Sequence, residues 1–289
     1  MDLTLYWFMF PIGILVATIA MLSGIAGAAL FMPFFLLVLP ILGNEYELAS
    51  PVTAIAAALI TCTFGFASGF VGYFRKKLID FDQGWKFLRF SIPLAILGAL
   101  ICPMIDENYI RGLYGALMLV LAWILLKKDI AGSESLTVAS AETPNSKTKV
   151  SSDGKMYSYF PYSIQKIPTI AGGFLTGLLS TGIGEMVMPQ LIKGGKFPVP
   201  VAAATSVIVV SLTFLFASGT HIYILINEGG AQAIPWHLVI YTIPGVLIGG
   251  QLGPALQGKI SRTKMIRGIS IVFIVIGIAM GITFIQSFR

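Results

Sequence analysis

Ten apolar segments recur along the chain, and most approach the roughly 17–25 residues that a helix needs to cross a bilayer. The first five lie at about 5–22, 28–42, 49–73, 87–104 and 109–126. The second five lie at about 163–179, 185–192, 199–226, 236–256 and 264–288. Between the two sets, the chain is rich in Ser, Thr, Lys and Gly and has no apolar periodicity. This stretch predicts a flexible linker or surface loop.

Two short glycine-rich breaks interrupt the apolar pattern at corresponding points of the two sets. The first runs from Ser23 to Gly27, and the second runs from Ser180 to Glu185. Inside a bilayer, backbone that is not helical survives only where protein covers it or where it lines a wet cavity. Paired breaks in two halves of a chain therefore indicate the binding site of a transporter.

Short motifs also recur in the same order in both sets. Phe66-Ala-Ser-Gly69 returns as Phe216-Ala-Ser-Gly219, and Ile110-Arg-Gly112 returns as Ile266-Arg-Gly268. Pairs such as Ile92-Pro93 and Ile243-Pro244 fall between them. Several matches in one order favour a duplicated chain over chance.

The composition and the loop charges give the topology. The 289 residues are 56% hydrophobic and 11% charged, with a mean hydropathy of +0.86, which excludes a water-soluble domain. The net charge is +6, and Lys and Arg collect in the loops near residues 75–89, 127–128, 193–196 and 259–267. Acidic residues without Lys or Arg occupy the loops near 45–47, 106–107 and 228. The positive-inside rule makes the basic loops cytoplasmic and both termini external, and we expect no nucleic-acid partner.

An odd number of elements in each copy places the two copies in opposite orientations. The sequence therefore predicts an all-α polytopic membrane protein. It has two inverted-topology repeats of about five helical elements, each with a Gly-rich broken or re-entrant helix pair. Residues 1–127 form the first transmembrane repeat, 128–162 a polar cytoplasmic linker, and 163–289 the second, inverted repeat.

These motifs resemble the sulfite exporter TauE/SafE family. The likeness rests on the Gly-rich break followed by an apolar residue and Pro, on the run from Pro200 to Ser206, and on the Gly-rich helices after Pro93 and Pro244. It implies transport of small anions, such as sulfite, sulfoacetate, other organosulfonates or carboxylates, across the bacterial inner membrane. The family's glycine triplet is altered to Gly27-Ala-Ala29 and shortened to Gly184-Glu185, which places a carboxylate where an anion is expected.

The breaks supply the candidate ligands. A helix that begins at Ala28 or Glu185 presents unpaired backbone amides and the positive end of its dipole, and both favour an anion. The substrate-binding candidates are Ser23, Gly24, Gly27, Ala28, Thr53, Ser180, Thr181, Gly182, Gly184, Gln190, Thr205 and Ser206. Two plainer interpretations stay open. Glycines also allow helices to pack closely, and Ser and Thr also bond to their own helix backbone.

Glu185 is the carboxylate that lies well inside an apolar stretch. An ionised carboxylate in a membrane must be paired, protonated or functional. We interpret Glu185 as a proton-coupling candidate, neutral when an anion is bound beside it. The alternative is that it caps the N-terminus of its own helix, where negative charge is favourable.

The leading functional hypothesis is a secondary transporter of a small sulfur-containing anion that works by alternating access. A carrier of carboxylates or other small anions and an anion channel are the alternatives. A membrane enzyme would have to use Ser218 and His221, which lack a Gly-x-Ser-Gly context, so we do not predict an enzyme. We predict no cofactor and no metal. The expected partners are the anion, the bilayer and protons as the coupling ion, and a homodimer is left open.

Overall fold

The chain folds into a helical bundle. The computed structural model describes residues 5–24, 27–127, 147–256 and 262–287. In the first half the helices are α1 (Met9–Ser23), α2 (Ala28–Pro33), α3 (Leu39–Leu42), α4 (Pro51–Arg75), α5 (Phe81–Ile101) and α6 (Glu107–Lys127). A π-helical segment, Phe34–Val38, joins α2 to α3. In the second half they are α7 (Lys166–Leu179), α8 (Ile183–Gly194), α9 (Val199–Gly229), α10 (Trp236–Leu256) and α11 (Arg262–Gln286).

Six of the described helices are long and apolar enough to cross a membrane, namely α4, α5, α6, α9, α10 and α11. The protein is therefore an all-α, multi-pass membrane protein, as the apolar pattern predicts. The predicted ends of the segments agree with the helices to within a few residues except at α5. This helix begins at Phe81, six residues before the predicted start, because Asp80 accepts a 3.1 Å hydrogen bond from the Gln83 amide and caps a polar first turn.

The remaining helices form two short helical hairpins. At about 1.5 Å per residue, α7 with 14 residues and α8 with 12 are too short to cross a hydrocarbon core of about 30 Å. The Gln190 side chain near the end of α8 accepts from the Gln165 amide at 2.9 Å and donates to Thr169 Oγ1 at 3.3 Å. Since Gln165 and Thr169 lie at the start of α7, the pair turns back on itself.

The first break has the same form. Tyr6, just before α1, donates a hydrogen bond of 3.2 Å to the carbonyl of Tyr46, which follows α3. The helices α1 to α3 therefore also enter and leave the bundle at one end. This geometry favours the re-entrant alternative over a full crossing, and re-entry into the membrane itself stays a prediction.

Glycines let helices of opposite halves approach closely. Helix α1 packs on α10, and α7 packs on α5. A Cβ atom on Gly249 of α10 would collide with the carbonyl oxygen of Ile14, and one on Gly98 of α5 with that of Phe174. These two glycines therefore serve packing, and alanine would not fit at either position.

Matching hydrogen bonds link the long helices. Thr242 of α10 bonds to Thr61 of α4 at 2.8 Å, and Ser91 of α5 bonds to Thr213 of α9 at 2.9 Å. Ser91 and Thr242 hold the same place in the recurring motifs, two residues before a proline. Each bond joins a helix of one half to a helix of the other, as two inverted copies would. The duplication and the inversion themselves stay predictions.

Part of the linker is folded. Strand β1 (Lys147–Val150) pairs antiparallel with β2 (Met156–Tyr159), so the flexible-loop prediction is wrong for these residues, while 128–146 lie outside the described part. Buried Tyr159 donates to Asp80 Oδ2 at 2.9 Å and packs on the Phe197 ring, with 4.1 Å between ring centroids. Burial and the Asp80 carboxylate raise the pKa of Tyr159, so its hydroxyl stays protonated and remains a donor.

The loops sort by charge to opposite ends of the bundle. At the basic end, Lys76 donates to the Pro254 carbonyl at 2.6 Å, and the Phe160 amide donates to the Gly195 carbonyl at 3.1 Å. At the other end, the Tyr6 ring lies 5.0 Å from that of His237. The alternation of basic and acidic loops is thus present in the fold, and the assignment of the basic end to the cytoplasm stays a prediction.

Cysteine labelling in intact cells tests that assignment. We expect Asp153→Cys, at the tip of the β-hairpin, to react with a membrane-impermeant maleimide only after permeabilisation, because the hairpin is at the basic end. Glu228→Cys, at the acidic end, is the matched control and should react without permeabilisation. Native Cys62 and Cys102 are both buried and should stay unlabelled. Labelling of Asp153→Cys in intact cells would reverse the predicted topology.

Candidate functional site

The second break ends α7 and starts α8 inside the protein. Ser180 adopts a left-handed conformation with φ +59°, and Gly182 has φ +136°. A Cβ atom on Gly182 would lie 2.9 Å from the carbonyl oxygen of Gly172. Glycine at 182 is therefore required both by the backbone angle and by the close approach of α7.

Two backbone amides at the start of α8 already have side-chain partners. The Gly182 amide donates to Glu185 Oε2 at 3.0 Å, and the Ile183 amide donates to Thr176 Oγ1 at 2.9 Å. The Thr181 hydroxyl donates to Glu185 Oε1 at 3.1 Å. Because α8 begins at Ile183, two residues before the predicted start, Glu185 lies in its first turn and caps it. The carboxylate thus occupies the place at a helix N-terminus where a bound anion would lie.

The first break lies against α8. Gly24 ends α1 in a left-handed conformation with φ +68°, and a Cβ atom there would collide with Met188 Sδ. Gly27 precedes α2 with φ −60°, and a Cβ atom there would lie 3.1 Å from Ala20 Cβ. Residues 25 and 26, in the middle of this break, lie outside the described part of the chain. The contact with Met188 shows that the first break packs against α8, the helix that follows the second break.

Tyr114 bonds to the first break and lies near Glu185 of the second, and it is not among the residues predicted from the sequence. This fully buried residue of α6 donates from its hydroxyl to the Ala29 carbonyl in α2 at 3.1 Å. It also interacts electrostatically with Glu185 in α8. A signal was available, since Tyr114 and Ser270 follow the recurring Ile-Arg pairs at the same distance and are both polar.

A cavity of about 400 Å³ leads from the basic end of the bundle to the second break. It lies between α6, α7 and α8, with Glu185 and Gln190 in its wall and Lys193 near the end of α8. Lys193 lies eight residues after Glu185, about 12 Å along the helix. A small solute that enters beside Lys193 can therefore reach the Glu185 carboxylate.

Two buried hydroxyl groups are unusual. The side-chain oxygens of Ser180 and Ser206 have no hydrogen-bond partner among the residues that the structure describes. Both residues are at most 1% exposed. A buried polar group without a partner costs free energy, and a bound ligand can supply the partner. Ser180 is the more informative of the two, because it immediately precedes the α8 N-terminus.

Several other predicted ligands have structural partners. Ser23 donates to the Ile19 carbonyl of its own helix at 2.8 Å. The Thr53 amide donates to Ser50 Oγ at 3.2 Å and so helps to cap α4. Thr205 accepts from the Asp80 amide at 3.0 Å. Gln190 lines the cavity but uses both ends of its amide to hold α7. The remaining candidates, Ala28 and Gly184, are buried beside the breaks. As ligands, all of these residues stay predictions.

Comparison with known proteins agrees with this architecture. The family model of the sulfite exporter TauE/SafE matches residues 9–280. The chain belongs to the sulfite exporter TauE/SafE family. It is 25% identical over 267 residues to the probable membrane transporter protein YunE of Bacillus subtilis (strain 168), which covers 92% of this chain and 93% of that protein. No solved structure gives a significant match. The resemblance drawn from the motifs is confirmed, and the protein is a membrane transporter.

Membership of the TauE/SafE family points to transport rather than catalysis. The two residues of the enzyme alternative also have other partners. Ser218 donates to the Leu215 carbonyl at 3.1 Å, whereas His221 Nε2 lies 2.8 Å from the Gly177 carbonyl oxygen. Within the described ranges there is no group of three or more His, Cys, Asp or Glu residues that could hold a metal ion.

The contact between the breaks can be tested by thermal unfolding in detergent. Gly24→Ala should lower the free energy of unfolding by roughly 1–2 kcal/mol, because a residue with a Cβ atom disfavours the left-handed backbone conformation. Displacement of Met188 should lower it further. Gly219→Ala is the control, because its Cβ atom would meet no atom within 4 Å, and we expect a change within about 0.5 kcal/mol.

A double-mutant cycle separates the two causes. Adding Met188→Ala to Gly24→Ala should relieve the steric part, with a coupling free energy of about 0.5–3 kcal/mol. Strictly additive effects would mean that Gly24 and Met188 are not in contact.

Proposed function

We propose that this transporter is a secondary carrier that moves a small anion across the bacterial inner membrane by alternating access through the site between its two breaks. The observation that carries the proposal is the cavity that leads to the N-terminus of α8. Glu185 lies in the wall of that cavity and accepts from the Gly182 amide. The buried Ser180 hydroxyl, which has no partner among the described residues, lies at the start of the same break. Transporters commonly place such helix ends at their substrate sites.

The groups at the break favour a small anion with several oxygen atoms. Amides and hydroxyls donate hydrogen bonds without adding a full positive charge, so an anion can bind and then leave. Lys193, at the basic end of the cavity, adds attraction at the entrance. We propose sulfite or a small organosulfonate such as sulfoacetate. A small carboxylate would meet the same donors and is the second candidate.

The cavity wall also suits a short carbon chain. Leu121, Leu125, Met186 and Pro189 line it beside the polar groups. Ligand sites typically combine an apolar wall with a few placed polar groups. An organic tail would contact this wall while the anionic head lies toward Ser180. This division favours organosulfonates over sulfite itself.

Glu185 provides the proposed coupling to protons. Its carboxylate already accepts hydrogen bonds from the Gly182 amide and the Thr181 hydroxyl, the donors that a substrate oxygen would need. Two negative groups in one weakly solvated site repel each other, so anion binding favours protonation of Glu185. The protonated side chain would then release the amide to the substrate. A homodimer remains a separate prediction that this mechanism does not require.

Counterflow into proteoliposomes tests the carrier. Labelled sulfoacetate or sulfite should accumulate transiently against an internal load of the same anion. An anion channel would show no such accumulation, and a protein that binds neither anion would show no uptake. A screen of small carboxylates in the same assay decides between the two substrate classes.

Ser180→Ala tests the location of the site in the same assay. Loss of one hydrogen bond of about 0.5–1.5 kcal/mol should raise the KM by about twofold to tenfold. Ser270→Ala is the matched control, because Ser270 is equally buried but donates to the Ile266 carbonyl of its own helix at 2.8 Å. An unchanged KM in Ser180→Ala would move the site away from this break.

Glu185→Gln tests the coupling. The amide keeps the shape of the side chain and represents its neutral form, so we expect substrate exchange to persist with a weaker pH dependence. Net uptake driven by a pH gradient should fall sharply. The free energy of unfolding should change by only about 0.3–1 kcal/mol, which is the typical contribution of a charge at a helix N-terminus. If gradient-driven uptake keeps the proton dependence of the parent, Glu185 is a helix cap and nothing more.

A further inference from the structure

A second cleft, of about 750 Å³, lies at the basic end of the bundle on the outer side of α5 and α7. The first turns of α5 form one wall, and the segment from Pro161 to Lys166 forms the other. This cleft is separate from the cavity that reaches Glu185, although Tyr162 borders both. Binding in this cleft would not require the proposed transport of anions.

Three cations line the cleft, namely Lys86, Arg89 and Lys166. Asp82 is the carboxylate in the described wall, and it is already paired with Lys147 of β1 at 2.9 Å. The positive charge of the cleft is therefore not balanced by the described residues around it. An anion with several oxygen atoms could balance it.

The three cations differ in the contacts that they already make within the protein. Lys86 Nζ donates to Gln83 Oε1 and to the Tyr162 carbonyl, each at 3.3 Å, which leaves one of its three N–H groups for a ligand. Lys166 Nζ lies 5.9 Å from the centre of the Phe90 ring. Arg89 makes no hydrogen bond or ion pair within the described part of the chain, and its planar guanidinium can hold two phosphate oxygens at once.

The position of the cleft indicates a lipid rather than a solute. Arg89 lies eight residues after Phe81, about 12 Å along a helix that crosses the membrane. A cation at that depth on an outer surface extends toward the headgroups. Trp85, 60% exposed, lines the cleft, and Ile167, 81% exposed, follows the cleft residue Lys166 in the chain, so both offer apolar surface near the cleft. Tryptophan at this level is typical of the membrane interface.

We propose that this cleft binds the phosphate-bearing headgroup of an anionic phospholipid. Lys86, Arg89 and Lys166 surround the phosphate, and the acyl chains lie along Trp85 and Ile167. Basic pockets between membrane helices on the cytoplasmic side are suited to such headgroups. A bound lipid would contact both α5 and the start of α7, and would therefore hold the re-entrant hairpin at its entry into the membrane.

Lipid binding to the purified full-length protein tests this proposal. The protein is stripped of lipid in detergent, and retention of phosphatidylglycerol or phosphatidylcholine is measured by native mass spectrometry, with thermal unfolding as a second readout. We expect phosphatidylglycerol to bind and to raise the Tm, and phosphatidylcholine to do neither. Inorganic phosphate and glycerol phosphate, which lack acyl chains, should not displace phosphatidylglycerol at equal concentration.

Two charge-matched variants locate the site. Lys86→Gln, Arg89→Gln and Lys166→Gln together should weaken phosphatidylglycerol binding by roughly tenfold or more. Arg75→Gln, Lys77→Gln and Lys155→Gln remove the same charge from the same end outside the cleft, and should have little effect. The single variant Arg89→Gln, with an expected loss of about fivefold, provides the same test if the triple variant does not fold.

Three results would overturn the proposal. Equal losses in the two triple variants would mean a general effect of surface charge. Displacement of the lipid by inorganic phosphate would mean a site for soluble anions. Equal retention of phosphatidylcholine and phosphatidylglycerol would mean that the cleft does not recognise the headgroup.

Discussion

Backbone amides at the start of α8 lie inside a membrane protein, where lipid offers no hydrogen-bond partner. Every such group must be satisfied by the protein itself or by a ligand. Glu185 and Thr176 serve two of these amides, and Tyr114 serves the Ala29 carbonyl at the start of α2. Because these partners come from α6, α7 and α8, the surrounding helices must close around the breaks. The amides at the start of α8 are donors, which suits an anion, whereas the Ala29 carbonyl is an acceptor that the protein itself satisfies through Tyr114.

The two helical hairpins that contain the breaks pack on helices of the opposite half. Helix α7 packs on α5 through Gly98, and α1 packs on α10 through Gly249. Without Cβ atoms, the backbones at these crossings come into direct contact, and dispersion attraction replaces the hydrophobic driving force that lipid does not provide. The halves therefore interlock, and neither hairpin can shift without the transmembrane helix that supports it. Each hairpin would therefore move together with the helix of the other half on which it packs, α7 with α5 and α1 with α10.

The positively charged residues at the basic end of the bundle lie at several different features of the fold. Its Lys and Arg residues predict orientation, Lys193 stands at the entrance to the inner cavity, and Arg89 lies in the outer cleft. The β-hairpin covers part of this end. Tyr159 joins it to Asp80 and Phe197, which belong to loops of different halves. A segment with the composition of a linker thus ties the two halves together through a buried aromatic residue and a carboxylate.

The sequence by itself determined the helices and the breaks, because apolar periodicity and glycines act over a few neighbouring residues. It also placed Glu185, Ser180 and Gln190 at the candidate site. The recurring position of Tyr114 is visible in the sequence, but the sequence could not show that its hydroxyl reaches Ala29 across 85 positions or that Gly24 contacts Met188. Nor could it predict that residues 147–159 fold, since Tyr159 is buried by residues far away in the chain. Only the tertiary structure decided these points, because they depend on which distant segments meet and which polar groups satisfy each other there.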